Sequence, residues 1–380
     1  MLALIVLSGS LLCGCGGGGS SSTPTPTPTP TQTPAAAPTV TTKAEQNGAV
    51  LVSLGSTTSG ATIYYTLDNT TPTTSSQIYV APFLVASNIT VQALATASGD
   101  SNSTVTTQAF APNIPSGTLV WSDEFTSTVA QGQPDATVWT YDTGGNGFGN
   151  NELENYCAWG NNAAPCATAS PNAYTSTDGF LHIVAQQPSA GVYTSARLKS
   201  QGLFSFQYGR IETKIKIPES QGMWPAFWLL GNNINTVPWP ACGELDVMEH
   251  IDGSNPPASA GGTPMGYDWV AGSVHGGTSS NEANGTQSYH PTGFSAGTWH
   301  TYGMIWSKGE IQYYIDDPSN IYATFKSTDT AFANGIWPFD SGPQFLLLNL
   351  AVGGSWPGNP DATTVFPSEM VVDYVRLYTN

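Results

Sequence analysis

With 380 residues and only 9% charged side chains, the chain is comfortable for two domains. Its net charge is −17, and Lys43 is the sole basic residue before Arg197, which excludes a nucleic-acid partner because phosphate binding needs a Lys/Arg footprint. The acidity suits a secreted protein kept soluble; it would repel a polyanionic polymer and leave a neutral one unaffected.

Leu2 to Leu12 is an apolar run too short to span a bilayer, so residues 1–15 read as an export signal. The run ends in Leu12-Cys13-Gly14-Cys15, which resembles a bacterial lipoprotein box with Cys15 as the lipidated residue. Bulky Leu12 makes Cys13 the poorer fit, and the absence of Lys or Arg before the run departs from the pattern. The box implies a cell-surface or outer-membrane lipoprotein that meets the membrane only through a lipid anchor; a simple secretory signal, and a secreted protein, is the alternative. Residues 16–35 read as a linker, flexible at Gly16 to Gly19 and semi-rigid through the Thr-Pro repeat from Thr23 to Pro30.

Residues 36–112 read as a small β module. Alternation runs through Ala49-Val50-Leu51-Val52, Thr62-Ile63-Tyr64-Tyr65-Thr66 and Asn88-Ile89-Thr90-Val91-Gln92-Ala93, with turn residues between. "GATIYYTLDNTTPTTSSQIYVAPF" followed by "ITVQALATASGDSNSTVTTQAF" resembles the Ig-like module near the C-terminus of chitobiase-type hexosaminidases, which implies an N-terminal Ig-like β-sandwich acting as a spacer. Tyr64, Tyr65 and Tyr79 could stack on sugar, or alternate between the core and surface of an ordinary sandwich.

After a connector at 113–118, residues 119–380 read as a larger all-β unit. Strands are expected at Ala196–Leu198, Gly209–Ile217, Gly222–Gly231, Gly243–His250, Trp299–Trp306, Ile311–Ile315, Gln344–Val352 and Val371–Tyr378. No convincing amphipathic helix exceeds three turns, and strands without crossover helices argue for an antiparallel sandwich. Cys157 and Cys166 are close enough in sequence to close a small loop by a disulfide in an oxidising compartment, while Cys242 is left over as a small packing residue.

The chemistry concentrates in Gly243-Glu244-Leu245-Asp246-Val247-Met248-Glu249-His250. Alternate residues of a strand share a face, so Glu244 and Asp246 point the same way and Glu249 has the wrong parity. A β-bulge near Val247 or Met248 returns Glu249 to that face. The alternative, one unpaired carboxylate in the core, would cost several kcal/mol. Three acids on one face repel, which raises the pKa of at least one. A glycosidase needs one ionised and one protonated carboxyl, set about 5–5.5 Å apart in retaining enzymes. A solvated acidic run is the plain alternative, but Trp224, Trp228 and Trp239 lie nearby and indole rings stack on pyranose faces.

"GMWPAFWLLG…WPACGELDVMEHIDG" resembles glycoside hydrolase family 16, in its laminarinase-like endo-β-1,3-glucanase branch. "WSDEF", "GNNELENY", "TSARLKSQGLFSFQYGRIETKIKIP", "LLLNLAVGG" and "VVDYVRLY" extend the likeness in family order over 119–380. The resemblance implies a β-jelly-roll sandwich with a cleft across its concave sheet, retention through a glycosyl-enzyme, Glu244 as nucleophile, Glu249 as acid/base and Asp246 tuning both. It places Trp224, Trp228, Asn151, Arg197, His275 and Asn349 around the sugar, and Trp239, close to the acids in sequence, is read as a further substrate-binding ring. It implies no catalytic cofactor, a structural calcium at Glu124, Gly179 and Asp373, a polysaccharide partner and a monomer. Departures are Glu154, where many laminarinases carry Gln, the insert from Cys157 to Ser170, and a Gly/Pro-rich loop from Ser254 to Gly266. Agarase or other galactanase activity on the same scaffold, transglycosylation, and non-catalytic glucan binding are the competing expectations.

Overall fold

Alternating apolar and polar residues build the strands that dominate the regular structure of the described chain, whose helical segments are 3-10 turns of three or four residues. The structure is a computed structural model that describes residues 32–251, 266–278, 280–333 and 337–380. The export segment with Cys13 and Cys15, most of the linker, and the Ser254–Gly266 loop except Gly266 lie outside the described residues. No described helix is long and apolar enough to cross a membrane.

Residues before the connector form two small antiparallel sheets. One contains Thr39–Ala44, Val50–Gly55 and Phe83–Val85; the other contains Gln77–Ile78, Thr62–Thr66, Ile89–Thr96 and Thr106–Phe110. Their inward residues, among them Val52, Leu54, Ile63, Phe83 and Val91, make a separate core. Tyr65 is buried there, stacked on Phe83 at 5.2 Å, and Tyr79 meets both rings edge-on at 6.3 and 6.4 Å. Tyr65 is therefore a packing residue rather than a sugar platform. The module touches the larger unit through Leu84 N–H donating to the Ser205 carbonyl at 2.8 Å and Ser205 Oγ donating to the Pro82 carbonyl at 2.7 Å.

The larger unit is a jelly-roll sandwich of a seven-stranded and a ten-stranded sheet. In order, the seven-stranded sheet runs Asn281–Tyr289, Val270–Thr278, Glu244–Glu249, Met223–Gly231, Gln344–Val352, Arg197–Lys199 and Thr140–Asp142. The ten-stranded sheet is built around Ser368–Tyr378, Gly209–Lys216 and His300–Ser307. Between them lie Phe227, Leu229, Leu245, Leu346, Leu348 and Leu350 from the first and Ile211, Ile215, Met304, Trp306 and Tyr313 from the second. Truncating a fully buried ring such as Phe227 to Ala would cost about 3–5 kcal/mol.

The Gln344–Val352 strand is buried on both faces. Leu346, Leu348 and Leu350 enter the core, while Phe345 and Leu347 join Leu230 and Cys242 in a second, smaller cluster. That cluster packs against Trp228, so the outer face of the seven-stranded sheet has an apolar floor. Gly231 lets the chain turn there, because a Cβ would sit 2.1 Å from the Cys242 carbonyl oxygen. Gly243, at φ +85°, takes a left-handed conformation that launches the carboxylate strand.

Candidate active site

The Glu244–Glu249 strand bulges at Val247. Against Met223–Gly231, Trp228 pairs with Asp246 and Phe227 with Met248, which leaves Val247 as the extra residue. The register also shifts between Asp246 and Glu249 on the Val270–Thr278 side. Leu245, Val247 and Met248 all enter the core, while Asp246 and Glu249 pair across the strand with Trp228 and Ala226, two residues apart and so on one face. The apolar burial of two consecutive side chains thus sets the parity that gathers Glu244, Asp246 and Glu249.

Cross-strand partners line up in rows. One row runs Ser273, Asp246, Trp228, Leu347, Lys199, Thr140; the next runs Ala271, Glu249, Ala226, Asn349, Arg197, Asp142. Trp228, Arg197 and Asn349 therefore share the carboxylate face by register.

The acids have one nearby base. His275 Nε2 lies 3.2 Å from Asp246 Oδ2, and Nδ1 lies 2.6 Å from Glu282 Oε1. Glu244, Asp246 and His275 can bring one polar atom each within 4.8 Å of one another. Burial works against the imidazolium, but the bond to Asp246, the charges of Asp246 and Glu244 and the bond to Glu282 raise His275 to about 11. Both ring nitrogens of His275 are engaged in this arrangement, Nε2 by Asp246 and Nδ1 by Glu282, which leaves no lone pair to give a metal. Burial first and the charge of Asp246 second push Glu249 up to about 8, against His275 and hydrogen bonds from Trp224 and Ser273. The same two causes push Glu244 well above the carboxylate range, with Glu249 adding to the rise and His275 and Arg197 opposing it. Two half-buried, mutually repelling carboxyls hold a proton between them at neutral pH.

Aromatic groups frame these acids. Trp224 Nε1–H donates to Glu249 Oε1 at 3.1 Å, and Trp356 packs edge-on against Trp224 at 5.1 Å. Trp228 Nε1–H donates to Asn349 Oδ1 at 2.7 Å. Asn349 Nδ2–H donates to Tyr156 Oη at 3.2 Å, and Tyr156 Oη–H donates to Glu152 Oε2 at 3.0 Å. Arg197 lies over the Trp228 ring at 4.5 Å and the Phe148 ring at 5.2 Å, tied to Asp142 at 3.0 Å. Trp239 is 44% exposed, 6.1 Å from the His275 ring. Asn151 stands on a loop, where its amide donates to Ser355 Oγ at 2.9 Å.

Glu154 is fully buried and accepts Val352 N–H at 2.6 Å. Burial, then the neighbouring Glu152 charge, raise it to about 9, so it is a neutral acid at pH 7. The residue that departs from Gln thus keeps Gln's lack of charge and faces the interior rather than the cleft.

The residues expected to hold calcium are engaged otherwise. Glu124 takes two bonds from Arg376, Nε at 2.9 Å and Nη2 at 2.8 Å, and Asp373 takes Lys214 Nζ at 2.8 Å. Gly179 closes a turn at φ +88°. The side-chain carboxylates of Glu124 and Asp373 are thus each paired with a cation in this arrangement. Cys157 and Cys166 are bonded to each other, and Cys242 is free and buried.

Sequence reasoning missed Trp356, Tyr156, Glu152, Asp142, Ser273 and Glu282. Trp356 carried a signal, a Trp in a Gly-rich turn after the strand Gln344–Val352. The others act through pairings that only the sheet order reveals.

Comparison with known proteins adds to this geometry. Residues 160–376 match the model of glycosyl hydrolases family 16, and residues 52–110 match the model described as Fn3 associated. The beta-glucanase of Rhodothermus marinus is 35% identical over 275 residues, which span 70% of this chain and 86% of that protein. The glucan endo-1,3-beta-glucosidase A1 of Niallia circulans is 32% identical over 70% of this chain but only 38% of its own length. The laminarinase catalytic domain of Thermotoga maritima superposes with a TM-score of 0.57 at 34% identity, over 70% of this chain and 99% of that domain.

Proposed function

The chain belongs to glycosyl hydrolases family 16, and from that premise we propose that it is a retaining endo-glycosidase that cuts internal β-1,3 bonds of laminarin-like β-glucans. Mixed β-1,3/1,4 glucans belong to the same substrate class. The observation that carries the reading is the bulged strand that sets Glu244, Asp246 and Glu249 on one aromatic-lined face.

In this reading Glu244 is the nucleophile and Glu249 the acid/base. A Glu244 oxygen attacks the anomeric carbon as the glycosidic bond breaks, and the Glu249 proton goes to the leaving oxygen. The glycosyl ester is then opened by water, whose proton passes to Glu249, and the configuration is retained. A sugar hydroxyl in place of that water gives transglycosylation. When the shared proton rests on Glu249, the positive charges of His275 and Arg197 act on the Glu244 carboxylate. Asp246 holds His275 and keeps Glu249 protonated near neutrality. Trp224 and Trp228 offer ring faces for the sugars next to the cut. Family 16 enzymes need no catalytic cofactor.

Export, with Cys15 as lipid anchor and the Thr-Pro linker as spacer, completes the proposal, as does action as a monomer. A neutral glucan also suits a chain of net charge −17, which would repel an anionic polysaccharide. Reducing-sugar release on laminarin, lichenan and agarose tests the reading. Release from laminarin that vanishes in Glu244→Gln and Glu249→Gln supports it; agarose as the preferred substrate, or binding without product, contradicts it.

A further inference from the structure

A second polar hollow lies at the opposite edge of the carboxylate sheet. It has a volume of about 400 Å³ and is lined by Trp139, Thr140, Tyr141, Trp159, Gln133 and Gln201, with small residues between. That volume falls within the about 300–1,000 Å³ typical of small-ligand sites.

Its place in the fold follows from register. Thr140 ends the row that begins at Ser273 and Asp246 and passes through Trp228, Leu347 and Lys199. Thr140 therefore faces the same side as Asp246, four strand intervals away, or about 19 Å at about 4.8 Å per interval. A polymer laid across the strands from the acids passes Trp228 and Arg197 and arrives there.

Its chemistry selects the ligand. No charged side chain lines the hollow, so it offers nothing to an anion or cation. Trp139 is buried as its floor, held by Nε1–H donating to Asp123 at 2.7 Å. Trp159 is half-buried and sits inside the loop closed by the Cys157–Cys166 bond. Lys199, itself tied to Asp142 at 2.6 Å, donates to Gln201 Oε1 at 2.8 Å. The Gln201 side chain is thereby fixed with its amide N–H groups turned away from Lys199. The accessible Trp159 ring beside amide and hydroxyl groups is the equipment for a neutral polyhydroxylated ring.

We propose that this hollow is a distal subsite that holds a sugar ring of the glucan several residues from the scissile bond, with Trp159 as its stacking face and Gln201 as its donor. The proposal rests on the β-glucan reading above and adds a chain-length preference to it. The disulfide loop then acts as a clasp for long chains.

The test compares kcat/KM of wild type and Trp159→Ala on laminaritriose and laminarihexaose. The expected result is a loss of about tenfold on the hexaose and less than about twofold on the triose. Gln201→Ala should show the same length dependence at smaller size. Equal losses on both substrates, or none on either, would overturn the subsite. Should wild type cleave neither, the hydrolase reading falls, and calorimetric titration of laminarihexaose into Glu244→Gln and Glu244→Gln/Trp159→Ala decides the subsite separately. Binding about tenfold weaker in the double variant supports it; equal or undetectable binding in both overturns it.

Discussion

The carboxylate strand Glu244–Glu249 and the ten-stranded sheet treat their acids in opposite ways. On the ten-stranded sheet each acid that faces outward has its own cation or hydrogen-bond donor: Glu212 has Arg210, Glu310 has Lys326, Asp373 has Lys214, Glu369 has His182, and Glu124 beside it has Arg376. On the seven-stranded sheet Glu244, Asp246 and Glu249 share a single imidazolium. The chain has few basic residues, and it places them where they balance charge, except at the one strand where imbalance does chemistry. The contrast separates structural acids from working ones without reference to any relative.

The contrast breaks most visibly if the working acids are neutralised. Glu244→Gln and Glu249→Gln should each lower kcat on laminarin by at least about 10³-fold, with Tm unchanged or higher, because each removes repulsion between half-buried carboxyls. A lost Tm with retained activity would place these acids with the structural set.

Asp246→Asn should cost about tenfold to a hundredfold in kcat/KM and move the alkaline limb of the pH profile. Glu249 must be protonated to act as the acid, so wild-type activity should fall as pH rises past about 8. Asp246's charge is part of what raises Glu249, so its removal should shift that limb to lower pH.

Glu154 sharpens the comparison as a buried acid that belongs to neither class. Its folded pKa of about 9 lies above its unfolded value of about 4.5, so its contribution to stability is complete at low pH and is lost as pH rises through about 9. Glu154→Gln should therefore gain Tm relative to wild type between pH 5 and pH 9, by more than about 5 °C in thermal melts. A constant difference across that range would mean that Glu154 is not held neutral.

The smallest effect belongs to the balanced sheet. Arg376→Ala should lower Tm by about 1–3 °C and leave kcat unchanged, since the Glu124 pair is partly exposed and screened. A change in kcat would show that the two sheets are not independent.

Much of this was legible in the sequence because apolar alternation and the bulge are sequence properties. Gln344–Val352 and Gly209–Lys216 declare themselves by their side chains, and Glu249's parity demanded a bulge where Val247 provides it. Val270–Thr278 and Asn281–Tyr289 did not, because Gly, Ser and Asn make strands by pairing with neighbours rather than by propensity. His275 rides on the first of these, so its contacts to Asp246 and Glu282 had no sequence signature. The ion pairs were hidden for a related reason: Arg376 and Lys214 reach the Glu124 and Asp373 side chains through strand packing across long sequence gaps. Thr140, which lines the same hollow as Trp159 and Gln201, is distant in sequence from the acids and is related to them only through four strand pairings.

The division of labour between Glu244 and Glu249 is tested most directly by trapping the covalent intermediate. The full chain would be incubated with a 2-fluoro laminaribiosyl substrate carrying a good leaving group, then digested and mapped by mass spectrometry. The expected result is one glycosyl adduct on Glu244, within the peptide that also contains Asp246 and Glu249. An adduct on Glu249 or Asp246, or no adduct together with products of inverted configuration, would contradict it.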